Sequence, residues 1–156
     1  MKELKSVFSR EELAENAVKL LKKLIATPSM SRDEYNASLI IEGFFNEHQL
    51  TVNRFKNNIW ATNKHFDAGK PSILLNTHHD TVKPNKAYTL DPFIPVEKDG
   101  KLFGLGSNDA GASLVAMAQT FLYFYEAEDL SHNLVIALTA EEEISGLDGI
   151  EALFPQ

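Results

Sequence analysis

Leu74-Leu75-Asn76-Thr77-His78-His79-Asp80-Thr81-Val82 is the stretch on which the fold turns. A short apolar run ends in a His-x-Asp cluster, and a loop containing Pro84 follows. Apolar runs this short read as buried strands of an α/β sheet. Such sheets bind ligands beyond the carboxyl ends of their strands, which is where His78 and Asp80 stand. An imidazole can bind a metal through one nitrogen while a carboxylate holds its other N–H and fixes the tautomer. The stretch therefore points to a metal site built around His78.

Upstream, Ser9-Arg10-Glu11-Glu12 is a capping box, and Leu13, Ala17, Leu20, Leu21, Leu24 and Ile25 follow at helical spacing until Pro28 stops the pattern. A second box, Ser31-Arg32-Asp33-Glu34, is expected to open a helix carrying Ala37, Ile40, Ile41, Phe44 and Phe45. Both helices read as scaffold on one face of the sheet. Residues 51–55 and 59–62 read as paired strands around Lys56-Asn57-Asn58, with Trp60 in the core.

Downstream, residues 83–93 form a long connection of the kind that is often functional. Asp99-Gly100 is a hairpin turn between Ile94-Pro95-Val96 and Lys101-Leu102-Phe103. In Gly104-Leu105-Gly106-Ser107-Asn108-Asp109-Ala110-Gly111-Ala112 the spacing fails the dinucleotide fingerprint. Its glycines suit a tight backbone turn that aims Asp109 inward. Leu114, Val115, Ala118, Phe121, Leu122 and Tyr125 mark a helix directly after it. Residues 133–138 read as another buried strand running into Thr139-Ala140-Glu141-Glu142-Glu143, and residues 146–154 as the start of a further helix. Strands alternating with helices make the class α/β, a mixed sheet with helices on both faces.

The 156 residues suffice for one domain with a core, and 44% apolar with 24% charged residues is ordinary for a globular protein. A formal charge of −7 without a basic block argues against nucleic acid or an anionic membrane as partner. The chain has no cysteine, so a metal here must use imidazole and carboxylate, a donor set that suits Zn, Mn or Co. Met1-Lys2-Glu3-Leu4-Lys5 leads into no apolar signal segment. No apolar run approaches the roughly 18 residues of a membrane span, and a cytoplasmic protein is expected.

Three clusters, His78/Asp80, Asp109 and Glu141-Glu142-Glu143, follow strand candidates. Taken singly they are commonplace: a chance triplet, a turn or cap aspartate, a solvated glutamate run. Carboxylates gathered at strand ends repel, and a cation is the usual reason to keep them together. His79 points away from His78 along the strand and reads as packed. His48, His65 and His132 have no convergent partner and read as surface residues. A calcium loop of the D-x-[DN]-x-[DN]-G type is absent.

These motifs resemble a known family. His78-x-Asp80-Thr81-Val82-x-Pro84, Asp91-Pro92-Phe93, Asp99 through Gly104 with Gly106-Ser107-x-Asp109, and Thr139-Ala140-Glu141-Glu142-Glu143 are similar to the motifs of the aminoacylase/carboxypeptidase G/acetylornithine deacetylase family of dinuclear zinc hydrolases. The Gly-Leu-Gly-Ser-Asn-Asp-Ala-Gly-Ala version most resembles the acetylornithine or succinylornithine deacylase branch. The resemblance implies that His78 binds one metal, that Asp80 holds and polarises His78, and that Asp109 bridges both metals. It further implies Glu142 as general base, Glu143 as ligand of the other metal, and a cis peptide between Asp109 and Ala110. Thr77 stands where the family usually has Gly, and Ala110-Gly111-Ala112 where it commonly has Lys and paired glycines.

By the same resemblance, residues 1–156 are expected to be the N-terminal part of a catalytic domain. One more carboxylate, one more histidine and a lid and dimerisation domain would come from further sequence. This segment alone is then expected to be inactive, and the complete protein to form a homodimer. The implied reaction is zinc-dependent hydrolysis of an N-acyl amino acid, with two zinc ions per site and Co or Mn as alternatives. N-acetylornithine or N-succinylornithine in arginine biosynthesis is the first substrate expectation. A dipeptidase, a succinyl-diaminopimelate desuccinylase and a non-catalytic peptidase-like binding module are the alternatives.

Overall fold

The Ser9–Glu12 capping box closes reciprocally: Ser9 Oγ accepts the Glu12 N–H at 3.1 Å, and a Glu12 carboxylate oxygen accepts the Ser9 N–H at 2.8 Å. It opens α1 (Arg10–Ile25) in the computed structural model, which describes residues 8–154. The Met1-Lys2-Glu3-Leu4-Lys5 segment lies outside the described residues. After α1 come α2 (Tyr35–Glu47), β1 (Asn53–Phe55), β2 (Asn58–Thr62), β3 (Ser72–His78), β4 (Val96–Lys98), β5 (Lys101–Phe103), α3 (Ser113–Phe124) and β6 (Asn133–Thr139).

The second capping box does not form. α2 starts at Tyr35 with no side-chain cap. The Ser31 hydroxyl donates instead to Asp80 Oδ2 at 2.7 Å, and Glu34 Oε1 accepts the Arg32 N–H at 2.6 Å. A tertiary partner therefore takes the serine that the local pattern assigned to the helix end.

The main sheet has the order β1-β2-β6-β3. β1 and β2 form the expected hairpin, β2 pairs antiparallel with β6, and β3 runs parallel to β6, which makes the sheet mixed. β4 and β5 form a separate hairpin through Asp99 and Gly100, both at positive φ (53° and 71°), as a tight two-residue turn requires. In the parallel pair His78 stands opposite Thr139. The segments leaving β3 and β6 thus depart side by side from the same end of the sheet, and this register places the site.

Ile59 and Ala61 of β2 and Ile136 and Leu138 of β6 alternate onto one face, as period-two strands must. Leu20, Leu21 and Ile25 of α1, Ile41 and Phe45 of α2, and Leu114, Ala118 and Phe121 of α3 close over them in one core. Phe45 is fully buried, with its ring centroid 5.4 Å from that of Phe44 and 6.3 Å from that of Phe121. Phe45→Ala is expected to cost about 3–5 kcal/mol in urea unfolding, because the surrounding helices cannot collapse into the void.

Several expectations need correction. β3 is not a buried strand among the described residues: Ile73 and Leu74 are 45% and 46% exposed. Among the described residues it pairs only with β6, at one edge of the sheet, and Leu74 alternates away from the core. Trp60 is half-buried and lies opposite Ala137, on the sheet face turned away from Ile59 and Ala61. His48 is also half-buried, its ring packed 4.7 Å from that of Phe44. Residues 146–154 form no α-helix, only the 3₁₀ segment Ile150–Leu153. The Gly146 and Gly149 N–H groups bond to Glu141 O and Gly146 O in tight turns rather than entering an α-helical ladder. No helix among the described residues is long and apolar enough to cross a membrane.

Candidate metal centre

His78 ends β3 with its ring buried. Its Nδ1 lies 3.0 Å from the Asp80 carbonyl oxygen and 3.3 Å from Asp80 Oδ1. Two acceptors on one side make Nδ1 the protonated nitrogen and leave the Nε2 lone pair for the other side. There Nε2 faces Asp109 Oδ1 at 3.1 Å and Glu142 Oε2 at 3.6 Å. The Asp80 carboxylate beside Nδ1 drives the His78 pKa up to about 9 against the opposing effect of burial.

Asp80 does more than hold the imidazole. It is fully buried and accepts the Ser31 hydroxyl, the Glu142 N–H at 3.0 Å and the Glu143 N–H at 3.2 Å. Burial pushes its pKa up, but His78, Ser31 and the two backbone N–H groups outweigh this and hold it at about 2. One carboxylate thus fixes the imidazole and the backbone of the glutamate run together.

Asp109 arrives from the glycine-rich turn. Gly106, at φ 72°, accepts the Gly111 N–H at 2.8 Å and folds Ser107–Ala112 into a wide turn ahead of α3. Within it Asp109 takes an extended backbone (φ −114°, ψ 102°), and the Asp109–Ala110 peptide is cis. Its carboxylate meets His78 Nε2 while the side chain stays 79% exposed. A free carboxylate in contact with a buried imidazole is poised to share a ligand with it.

From β6 the chain turns sharply at Glu141 (φ 54°) into the 3₁₀ turn Glu142–Ile144. His78, Glu142 and Glu143 present nitrogen and oxygen ligand atoms within 4.8 Å of one another. Burial and the nearby Asp109 charge raise the Glu143 pKa. Acids crowded around an imidazole whose second nitrogen is already held form a donor set that a divalent zinc-like cation would stabilise. The residues fit a metal.

The structure brings together all five residues singled out in the sequence, His78, Asp80, Asp109, Glu142 and Glu143. His79 points elsewhere: its Nε2 donates to the Asn57 carbonyl at 2.9 Å, and burial pushes its pKa down to about 4. Sequence reasoning missed Ser31 and Glu34 as members of this network. Their S-x-x-E spacing was visible, but it carries the same signature as a helix cap.

The chain was compared with known proteins. The model of peptidase family M20/M25/M40 matches residues 74–155. Succinyl-diaminopimelate desuccinylase of Sulfurovum sp. (strain NBC37-1) is 33% identical over 130 residues, 82% of this chain and 34% of that protein. Acetylornithine deacetylase of Proteus mirabilis (strain HI4320) is 37% identical over 143 residues, 82% of this chain and 36% of that protein. The chain therefore spans about a third of the length of these curated relatives. Human carnosine dipeptidase 1 superposes with a TM-score of 0.72 at 20% identity, covering 89% of this chain and 34% of that one. Bacillus subtilis YXEP, described as a dinuclear metal binding peptidase from the M20 family, gives 0.65 at 18% identity, covering 90% of this chain and 38% of that one. At such identities these two likenesses show the fold.

Proposed function

The chain belongs to peptidase family M20/M25/M40, and from that premise we propose that it contributes three ligands of a two-metal centre to a cytoplasmic amide hydrolase. His78 and Asp109 would hold one cation, Asp109 and Glu143 the other. The remaining ligands and a lid and dimerisation domain would come from the two-thirds of the relatives' length that has no counterpart here. The observation that carries the reading is the convergence of His78, Glu142 and Glu143 within 4.8 Å, with Asp109 3.1 Å from the same imidazole.

When bound, two divalent cations, zinc by preference, would supply Lewis-acid activation of water and of the acyl oxygen. The chain's own residues do the rest. Asp80 locks the His78 tautomer and, through the Glu142 and Glu143 N–H groups, aims the glutamates. Glu142, half-open to solvent beside the imidazole, takes the proton of the attacking water and returns it to the departing amine. Amide and water become a carboxylic acid and a free amine.

The substrate is an N-acylated amino acid. N-acetylornithine is the reading suggested by the glycine-rich motif and by the Proteus mirabilis relative. N-succinyl-diaminopimelate has equal support from the Sulfurovum relative and others of that name. Both are diamino acids carrying a short acyl group, so the bond type is common to the two readings.

The test uses the full-length protein that carries this segment. Metal content by mass spectrometry is expected to show zinc, and hydrolysis of one of the two substrates should vanish with a chelator and return with zinc. Hydrolysis that persists at full rate in the chelated, metal-free protein would refute the metal reading. Metal-loaded protein inert toward acylated amino acids and dipeptides alike would favour the binding-module alternative.

A further inference from the structure

We propose that Glu34 is a positioning residue for the glutamate turn, an inference that rests on the roles given above to Glu142 and Glu143. Glu34 is fully buried, although it sits at the start of a surface helix. Its Oε1 accepts the N–H of Arg32 at 2.6 Å and that of Glu141 at 3.3 Å, and its Oε2 accepts Asn57 Nδ2 at 3.0 Å. Asn57 in turn accepts His79 Nε2 on its carbonyl. One carboxylate thereby ties the α1–α2 turn, the β1–β2 hairpin and the segment leaving β6.

A buried carboxylate is costly unless hydrogen bonds replace its water. Capping the Arg32 turn does not require burial, since an exposed acceptor would serve. The reach to Glu141 does require it. Glu141 holds a left-handed backbone that a residue with a β-carbon adopts at a cost. Its carbonyl accepts the Gly146 N–H at 2.9 Å and its Oε2 the Asp148 N–H at 3.3 Å, while its Oε1 lies 3.9 Å from the largely exposed Arg32 Nε; none of these restrains its own N–H. A β-carbon on Gly146 would collide with the Glu141 carboxylate, so the packing there is close. The Glu34 bond fixes the N–H side of Glu141, and the next two N–H groups are fixed by Asp80. Glu34 and Asp80 together present three consecutive backbone donors with buried acceptors, which sets where the carboxylates of Glu142 and Glu143 point.

The test compares Glu34→Asp and Glu34→Gln in the full-length protein, loaded with Co(II). Asp keeps the charge and can serve its own turn but falls short of Glu141. Gln keeps the length and an oxygen for the Arg32 and Glu141 N–H groups, and its amide nitrogen can donate to the Asn57 side-chain oxygen once that amide turns over. Glu34→Asp is expected to lower both kcat and Co(II) affinity by about 10–100-fold, the range for residues that orient metal ligands. It should alter the visible Co(II) spectrum and leave KM little changed. Glu34→Gln is expected to stay near the parent in all of these. A purely structural role would lower the melting temperature and leave kcat per folded molecule and the spectrum unmoved. Should Glu34→Asp not fold, Glu34→Met, which keeps the length and loses both acceptors, takes its place with the same expected result.

Parent-like kcat and spectrum in the Asp or Met variant would overturn the proposal, as would a loss in Glu34→Gln equal to that in Glu34→Asp. A parent protein that neither binds Co(II) nor hydrolyses amides would instead overturn the hydrolase reading itself. The two failures are thus distinguishable.

Discussion

Glu142→Ala in the full-length protein is expected to lower kcat by about 10²–10⁴-fold, the contribution of a positioned acid–base group, with metal content unchanged. The reasoning is geometric. Glu142 Oε2 lies 3.6 Å from His78 Nε2, and the side chain is 60% exposed, so its carboxylate can meet a substrate that reaches the imidazole. Its neighbours in the run are differently placed. Glu141 is buried, with its carboxylate on the Asp148 N–H and 3.9 Å from Arg32 Nε. Burial and the nearby Asp109 charge raise the pKa of the Glu143 carboxylate. Proton transfer acts on the transition state, so kcat and kcat/KM should fall together. A variant that turned over at the parent rate would remove Glu142 from the mechanism. Loss of metal with loss of turnover would move it among the ligands.

Asp80→Ala is expected to damage stability and metal binding at once. The substitution strands three donors, the Ser31 hydroxyl and the backbone N–H groups of Glu142 and Glu143, and leaves His78 Nδ1 only the carbonyl of residue 80. Each buried donor left unpaired costs about 1–3 kcal/mol. The loss should appear as a lower urea midpoint even without metal. Without the Asp80 carboxylate the imidazole loses its charged partner and is held less firmly, and metal affinity measured by chelator competition should fall by about 10–100-fold. Retention of the parent midpoint and affinity would show that the Ser31 and backbone contacts are incidental.

The legible parts of this chain are those in which neighbours in sequence decide. α1 follows from Ser9, Glu12 and the spacing of Leu13, Leu20, Leu21 and Ile25, all within its own turns. The Asp99-Gly100 hairpin follows from residues tolerant of positive φ. The candidate site residues were legible because their motifs resemble those of a known family in the same order. Ser31 and Glu34 were misread because a serine three residues before a glutamate satisfies a capping pattern whether or not a distant acceptor competes for it. His48 was misread for a related reason: the lack of a convergent polar partner says nothing of the Phe44 ring beneath.

The sequence alone determined the class, the order of elements as far as β6 and the chemical types of the donor set, because periodicity, caps and turn residues act over a few bonds. Tertiary structure alone decided that β3 lies beside β6 with His78 opposite Thr139, and that β3 is an edge strand among the described residues. It also decided that Ser31, Asp80 and Glu34 bind partners 49, 62 and 107 positions away. Bonds across such separations form only after the sheet has brought their segments together, and a buried carboxylate leaves the same mark in the sequence as an exposed one.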